Sequence, residues 1–215
     1  MIASATGLIL RARPLTETSF IIHWLTPEFG RLATVARGAR RAKSPFAGKL
    51  DLFYLADFSF SRSRRSDLHM LREVSLREAH GEIRKDISKL QQAAYATAFI
   101  EQATETETPL PAVYELLLGF LGCLCRGKAA PQLVFALELK LLHELGLEPN
   151  LVETSLAAGT KKIAGILSSH DWSGGRRLKL TDVQTAELRQ FLHGFLIFHL
   201  GRLPKGRAAA LADAV

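Results

Sequence analysis

The chain has 215 residues, 47% of them hydrophobic, which suits one or two folded domains and excludes an intrinsically disordered chain. A net charge of +7 and a pI of about 9.7 favour a polyanionic partner: nucleic acid, an anionic membrane face or an acidic protein segment. No run reaches the ~18 apolar residues of a membrane helix, and "MIASATGLIL" lacks the basic start and long apolar core of a secretory signal.

The first eighty residues read as strands. "TGLILRAR" is a short apolar run. "TSFIIHWLT" alternates Phe20, Ile22 and Trp24 against Ile21, His23 and Leu25, and "PEFG" then supplies turn chemistry. "RLATVAR" is a third strand; "LDLFYLADFSFSRS" and "LHMLREVSL" are a fourth and fifth, joined by the polar tip "SRSRRSD". Five short strands without an intervening helical pattern predict a small antiparallel barrel. An OB-fold matches the size, and an SH3-like barrel is the rival that strand count does not separate.

Beyond about Glu82 the period becomes helical. Residues 84–105 carry Ile87, Leu90, Ala94, Ala98 and Ile100 at helix spacing. "TETETPLP" is a connector, "AVYELLLGFLGCLCRG" a second helix and "APQLVFALELKLLHELG" a third, with Pro131 in its first turn and Gly146 at its C-terminal cap. Residues 148–180 read as irregular, with "WSGGRR" a turn and room for a short hairpin. Thr181 caps a last long helix, and the tail has room for one short helix. The class is thus multi-domain β then all-α, with domains at 1–80 and 81–215. Cys123 and Cys125 point to nearly opposite helix faces and read as small hydrophobes of a reduced, cytosolic protein.

The charge is concentrated. Between Arg31 and Arg72 stand ten Lys/Arg and three acids (Asp51, Asp57, Asp67), so this window carries +7 and the other residues balance at 18 against 18. The window's candidate polyanion ligands are Arg31, Arg37, Arg40, Arg41, Lys43, Lys49, Arg62, Arg64 and Arg65. Guanidinium groups bind phosphate oxygens in forked pairs and Lys adds a point charge. If the two basic loops flank one barrel face, they form a cationic groove. Phe29, Phe46, Phe53 and Tyr54 lie in or near it; Phe53 and Tyr54 read better as core, whereas Phe46 fits either core or base stacking.

Catalytic signals are poor. Asp51, Asp57 and Asp67 do not assemble a metal-nuclease cluster. "SSHD" (168–171) is a loop rather than a triad, and His193 and His199 have the wrong spacing for a shared metal. "GRLPKGRA" has Arg207-Ala208 where a phosphate loop needs Lys then Ser/Thr, and it follows a helix. A binding protein is expected, not an enzyme, with no cofactor and no metal.

The basic stretch carries a resemblance. In "GLILRARPLTETSFIIHWLTPEFGRLATVARGARRAKSPFAGKLDLF", Arg13, Glu17 and Ser19, then Thr26, Gly30 and Arg31, then Ala36 to Arg40, then Leu50 and Phe53 fall in order at the spacing of the N-terminal domain of the RecO family. "LELKLLHELGLEPNL" and "LGRLPKGRAAA" continue it more thinly. The two CxxC pairs that hold zinc in many members are absent from "LEPNLVETSLAAGTKKIAGILSS", so zinc is not expected. The resemblance implies an OB-fold ahead of a helical domain, in a cytoplasmic, nucleoid-associated bacterial protein of DNA repair and recombination. It implies binding of single- and double-stranded DNA, annealing of complementary strands, and assisted loading of RecA on DNA coated with the single-strand-binding protein SSB. It also implies contacts with RecR and the acidic SSB tail. For that tail, an apolar pocket rimmed by a cation is expected from Leu133, Phe135, Leu139 and Leu142 with Lys140, Arg126 or Lys128. An OB-fold module for structured RNA or another polyanion would have the same electrostatics and is the alternative.

Overall fold

The computed structural model describes residues 2–169 and 172–212. His170 and Asp171 of "SSHD" therefore lie outside the described residues. Five strands come first: β1 (Ile2–Pro14), β2 (Phe20–Thr26), β3 (Gly30–Ala36), β4 (Leu55–Ser61) and β5 (Leu68–Glu78). Seven helices follow: α1 (Ile87–Ala103), α2 (Pro111–Arg126), α3 (Pro131–Glu144), α4 (Ala158–Ser168), α5 (Trp172–Arg177), α6 (Asp182–Leu200) and α7 (Arg207–Ala210). The chain divides into two compact units, Met1–Gly81 with Thr104–Leu118, and Glu82–Ala103 with Gly119–Val215.

In the first unit the strands close a barrel in the order β1-β2-β3-β5-β4. Long β1 pairs β4 through its first half and β2 through its second, with Leu8 opposite both Leu55 and Leu25. At that crossing Leu8, Ile9 and Leu10 are all buried, because both faces of the strand are covered. Four seams are antiparallel as expected; the fifth, β3 to β5, is parallel. This connectivity is that of an OB-fold and decides against the SH3-like rival.

The period-2 pattern delivers the barrel core. Ile22 and Trp24 of β2, Leu32 and Ala36 of β3, and Ala56, Phe58 and Phe60 of β4 point inward. Trp24 stacks on Phe58 at 4.0 Å, and its indole N–H donates to Thr34 Oγ1 at 2.9 Å, so no buried donor is wasted. The fourth strand starts at Leu55, five residues later than its apolar run predicts. Phe53 takes a positive φ of 66°, its N–H donates to Ile9 O at 2.9 Å and its carbonyl meets His80 Nδ1 at 2.7 Å. Residues 50–54 thus form a turn that buries Phe53 and leaves Asp51 exposed. Phe46 is also drawn into the core, 7% exposed, which removes it as a stacking platform.

In the second unit α3 is the central element, packed by α1, α4, α5 and α6. Every residue from Leu133 to Leu142 is buried. Its end is a Schellman turn: Leu147 N–H donates to Leu142 O at 2.8 Å and Gly146 takes φ +70°, as its capping position predicts. Thr181 caps α6 in a reciprocal box with Gln184. The region 148–180, expected to be irregular, instead contains α4 and α5. α4 turns Thr160, Ala164 and Leu167 inward at helix spacing, a period that the sequence carries and the irregular reading missed. Trp172, in the supposed turn, lies so close to Gly119 that a Cβ there would sit 2.6 Å from its indole nitrogen.

Candidate nucleic-acid interface

A groove of about 820 Å³ crosses the barrel where three connections converge. The β1–β2 loop contributes Leu15, Thr16, Thr18 and Ser19; the start of the β3–β4 loop contributes Arg37, Gly38 and Arg41; the β4–β5 loop contributes Arg62, Ser63 and Ser66. Val35, Leu68 and Met70 complete it. Three guanidinium groups and several hydroxyls therefore face one cleft with no carboxylate in its lining. The β1–β2 and β4–β5 loops are the ones between which OB-folds hold extended chains. The turn geometry follows from the sequence: Gly38 at φ +70° and the Arg41 N–H to Gly38 O bond of 3.0 Å fold "ARGARR" tightly enough to place Arg37 and Arg41 together.

A second groove is of opposite character. It is lined by Glu28, Asp57 and Glu73 with Ser and Thr hydroxyls and contains no Lys or Arg. Asp57 accepts from Thr6 Oγ1 and Arg77 Nε, both at 2.6 Å, and these hydrogen bonds, Thr6 first, hold its carboxyl below the usual range. The barrel thus keeps an anionic cleft distinct from the cationic one.

The predicted ligands separate into groups. Arg37, Arg41 and Arg62 line the groove. Arg40 is exposed but engaged: it donates to Thr16 O at 2.9 Å and lies over Phe20 at 5.6 Å, tying the β1–β2 loop to the basic turn. Lys43, Arg64 and Arg65 are exposed on the same loops outside the lining, and Lys49 is half-buried. Arg31 is a structural residue instead. Its Nε donates to Thr104 Oγ1 at 2.8 Å and its Nη2 to Thr104 O, seating the segment 104–118 on the start of β3.

One acid does answer the basic window, from outside it. Glu107 accepts from Arg62 Nη2 at 3.0 Å and from His69 Nε2 at 2.8 Å. With both partners of the Arg62 pair about 40% exposed, it is worth at most about 1 kcal/mol. No local sequence signal could have found it, since the partners are 45 residues apart. Nor does any aromatic ring line the groove. Phe29 is half-buried against Phe60 and beneath Arg62, Tyr54 packs on the core, and Phe53 is 1% exposed. What the cleft does offer is three guanidinium groups able to pair with phosphate oxygens.

The residues expected to build a pocket on the helical unit are packed into its interior. Leu133, Phe135, Leu139 and Leu142 are core, and Lys140 is buried with its Nζ 5.2 Å from the Trp172 ring centre. The reason is that α3 is wrapped on every side, so its apolar residues pack inward rather than form a cleft. In the same core Glu138 accepts from Arg207 Nε (2.6 Å) and Nη2 (2.9 Å) and from Tyr95 O–H (2.5 Å). Burial foremost, then the Glu138 charge, pushes the Tyr95 hydroxyl well up, so it stays protonated and donating.

Fold and groove together define an OB-fold protein with a cleft lined by three arginines, followed in the chain by a helical unit. Residues 1–80 match the family described as "Recombination protein O N terminal", and residues 84–157 match "Recombination protein O C terminal". The chain belongs to the Recombination protein O (RecO) family. Among similar proteins, each named DNA repair protein RecO, that of Exiguobacterium sibiricum is 28% identical over 207 residues, covering 94% of this chain and 82% of the relative. That of Anaeromyxobacter sp. is 35% identical over 154 residues, covering 72% of this chain and 60% of the relative. That of Bacillus pumilus is 32% identical over 151 residues, covering 70% and 58%.

Proposed function

We propose that this chain is a DNA repair and recombination mediator that binds single- and double-stranded DNA along the cationic groove and anneals complementary strands. The observation that carries the reading is the convergence of Arg37, Arg41 and Arg62 in one cleft between the β1–β2 and β4–β5 loops of an OB-fold. Guanidinium groups in such a cleft neutralise backbone phosphates with little regard to sequence. Two polyanions held by one cationic face repel each other less, and their bases stay available for pairing because no ring in the cleft competes for them. The reaction breaks no bond, and incubation with Mg²⁺ or Mn²⁺ is expected to leave DNA uncut.

Family membership supports the further steps. These are engagement of the acidic SSB tail and of RecR, and loading of RecA on SSB-coated strands in the bacterial cytoplasm. Among the described residues no helix is long and apolar enough to cross a membrane. The test is annealing of two complementary, SSB-coated oligonucleotides followed by fluorescence. The Arg37→Ala/Arg41→Ala variant is expected to lose most of the annealing rate while keeping its circular dichroism spectrum. Annealing at the wild-type rate by the folded variant refutes the reading.

A further inference from the structure

Arg62 is the one groove arginine that already holds an anion. Its guanidinium lies over the Phe29 ring at 5.6 Å and donates to Glu107 Oε2 at 3.0 Å. Resting on the reading of the groove as a phosphate site, we infer that Glu107 is an internal phosphate mimic. It occupies Arg62 in the empty protein and yields it to the polyanion on binding, so it sets the affinity of the cleft.

Three features place Glu107 for this. Its backbone has φ 55°, a left-handed conformation uncommon outside glycine, which costs energy and persists only where the surroundings fix it. Here they do. The Glu107 N–H donates to Arg31 O at 2.7 Å, Arg31 grips Thr104 with its side chain, and Thr108 O sits 2.0 Å from where a Gly30 Cβ would be. The other carboxylate oxygen is oriented as well. Ser63 N–H donates to His69 Nδ1 at 3.3 Å, so Nδ1 is the acceptor and the Nε2–H is left to donate to Glu107 Oε1. His69 is buried against Phe60, which fixes the ring.

The carboxylate is therefore held from behind, with one oxygen turned to Arg62. Because that ion pair is solvent-exposed, it is weak and open to exchange. A nucleic acid phosphate can offer Arg62 a forked pair of oxygens where Glu107 gives it one, and adds the release of condensed counterions, which Glu107 cannot match. Arg62 stands between the two: it lines the cationic groove, whereas Glu107 lines a smaller neighbouring cavity of about 240 Å³.

The test is fluorescence anisotropy of a labelled oligothymidine titrated at several salt concentrations. Glu107→Gln keeps an amide oxygen for the His69 Nε2–H and removes the charge. It is expected to bind about two- to fivefold tighter at low salt, with the salt slope little changed, since Arg62 meets a phosphate in both complexes. Arg62→Ala added to Glu107→Gln is expected to abolish the gain. No gain, or a gain that survives Arg62→Ala, overturns the inference. If Glu107→Gln fails to fold, Arg62→Ala alone serves: it is expected to cost less affinity than Arg37→Ala, and an equal or larger loss overturns the inference. Arg37→Ala/Arg41→Ala separates the two levels. Undiminished binding there overturns the groove reading itself, whereas a clear loss there with no gain from Glu107→Gln overturns the clamp alone.

Discussion

The value of a guanidinium to a phosphate depends on what already holds it. Arg31 and Arg37 stand six residues apart in one basic stretch and differ in this respect. Arg31 is committed to Thr104, while Arg37 lines the open groove. Arg31→Ala is expected to lower stability by about 1–3 kcal/mol, since it strips charge-assisted hydrogen bonds from a half-buried site, and to leave the salt slope of DNA binding unchanged. Arg37→Ala is expected to do the reverse, with stability within about 0.5 kcal/mol of wild type and a slope shallower by about 0.7. Urea melts and salt titrations of the two variants check both. The sequence showed that cations cluster here. It could not show which were spent, because that depends on Thr104, Glu107 and Thr16, all outside the run of basic residues.

Among the elements, the strands were legible because period-2 burial leaves its mark on every alternate residue: Gly30, Leu32, Thr34 and Ala36 of β3 are buried and the residues between them are not. The caps of α3 and α6 were legible for the same local reason. What was hidden was non-local. The parallel β3–β5 seam joins strands distant in sequence, and α3 is buried on every side, so no sequence mark said which of its faces would be covered; α4, by contrast, carries its period at Thr160, Ala164 and Leu167 and was legible though missed. The short α7 is held by one such non-local contact. Arg207 and Glu138 lie 69 residues apart and form a buried, two-pronged pair. Burial lowers the basicity of Arg207, but the Glu138 hydrogen bonds and charge outweigh that and raise it, so the guanidinium stays charged. Arg207→Ala is expected to destabilise the helical unit by about 3–5 kcal/mol, because it strips the two-pronged partner from a fully buried Glu138. Arg207→Met with Glu138→Leu is expected to recover much of that loss, read as the midpoint of helix loss in urea.

For the molecule as a whole, what matters is where the charge lies. Outside residues 31–72 the chain is balanced, so its +7 belongs to the barrel's basic loops and their surroundings. Folding sharpens this, because three of the barrel's acids, Glu28, Asp57 and Glu73, line a separate cleft, while Arg37 and Arg41 line one that has no carboxylate. Such a separation gives a directed field, which speeds encounter with a polyanion and orients it on arrival. The most direct test is the salt dependence of single-stranded DNA binding by wild type and by Arg37→Ala/Arg41→Ala. The expected result is a weaker complex whose log–log slope is shallower by about 1.4, two phosphate contacts' worth, with an unchanged urea midpoint. Parallel salt lines of equal affinity would contradict the assignment of DNA binding to this groove.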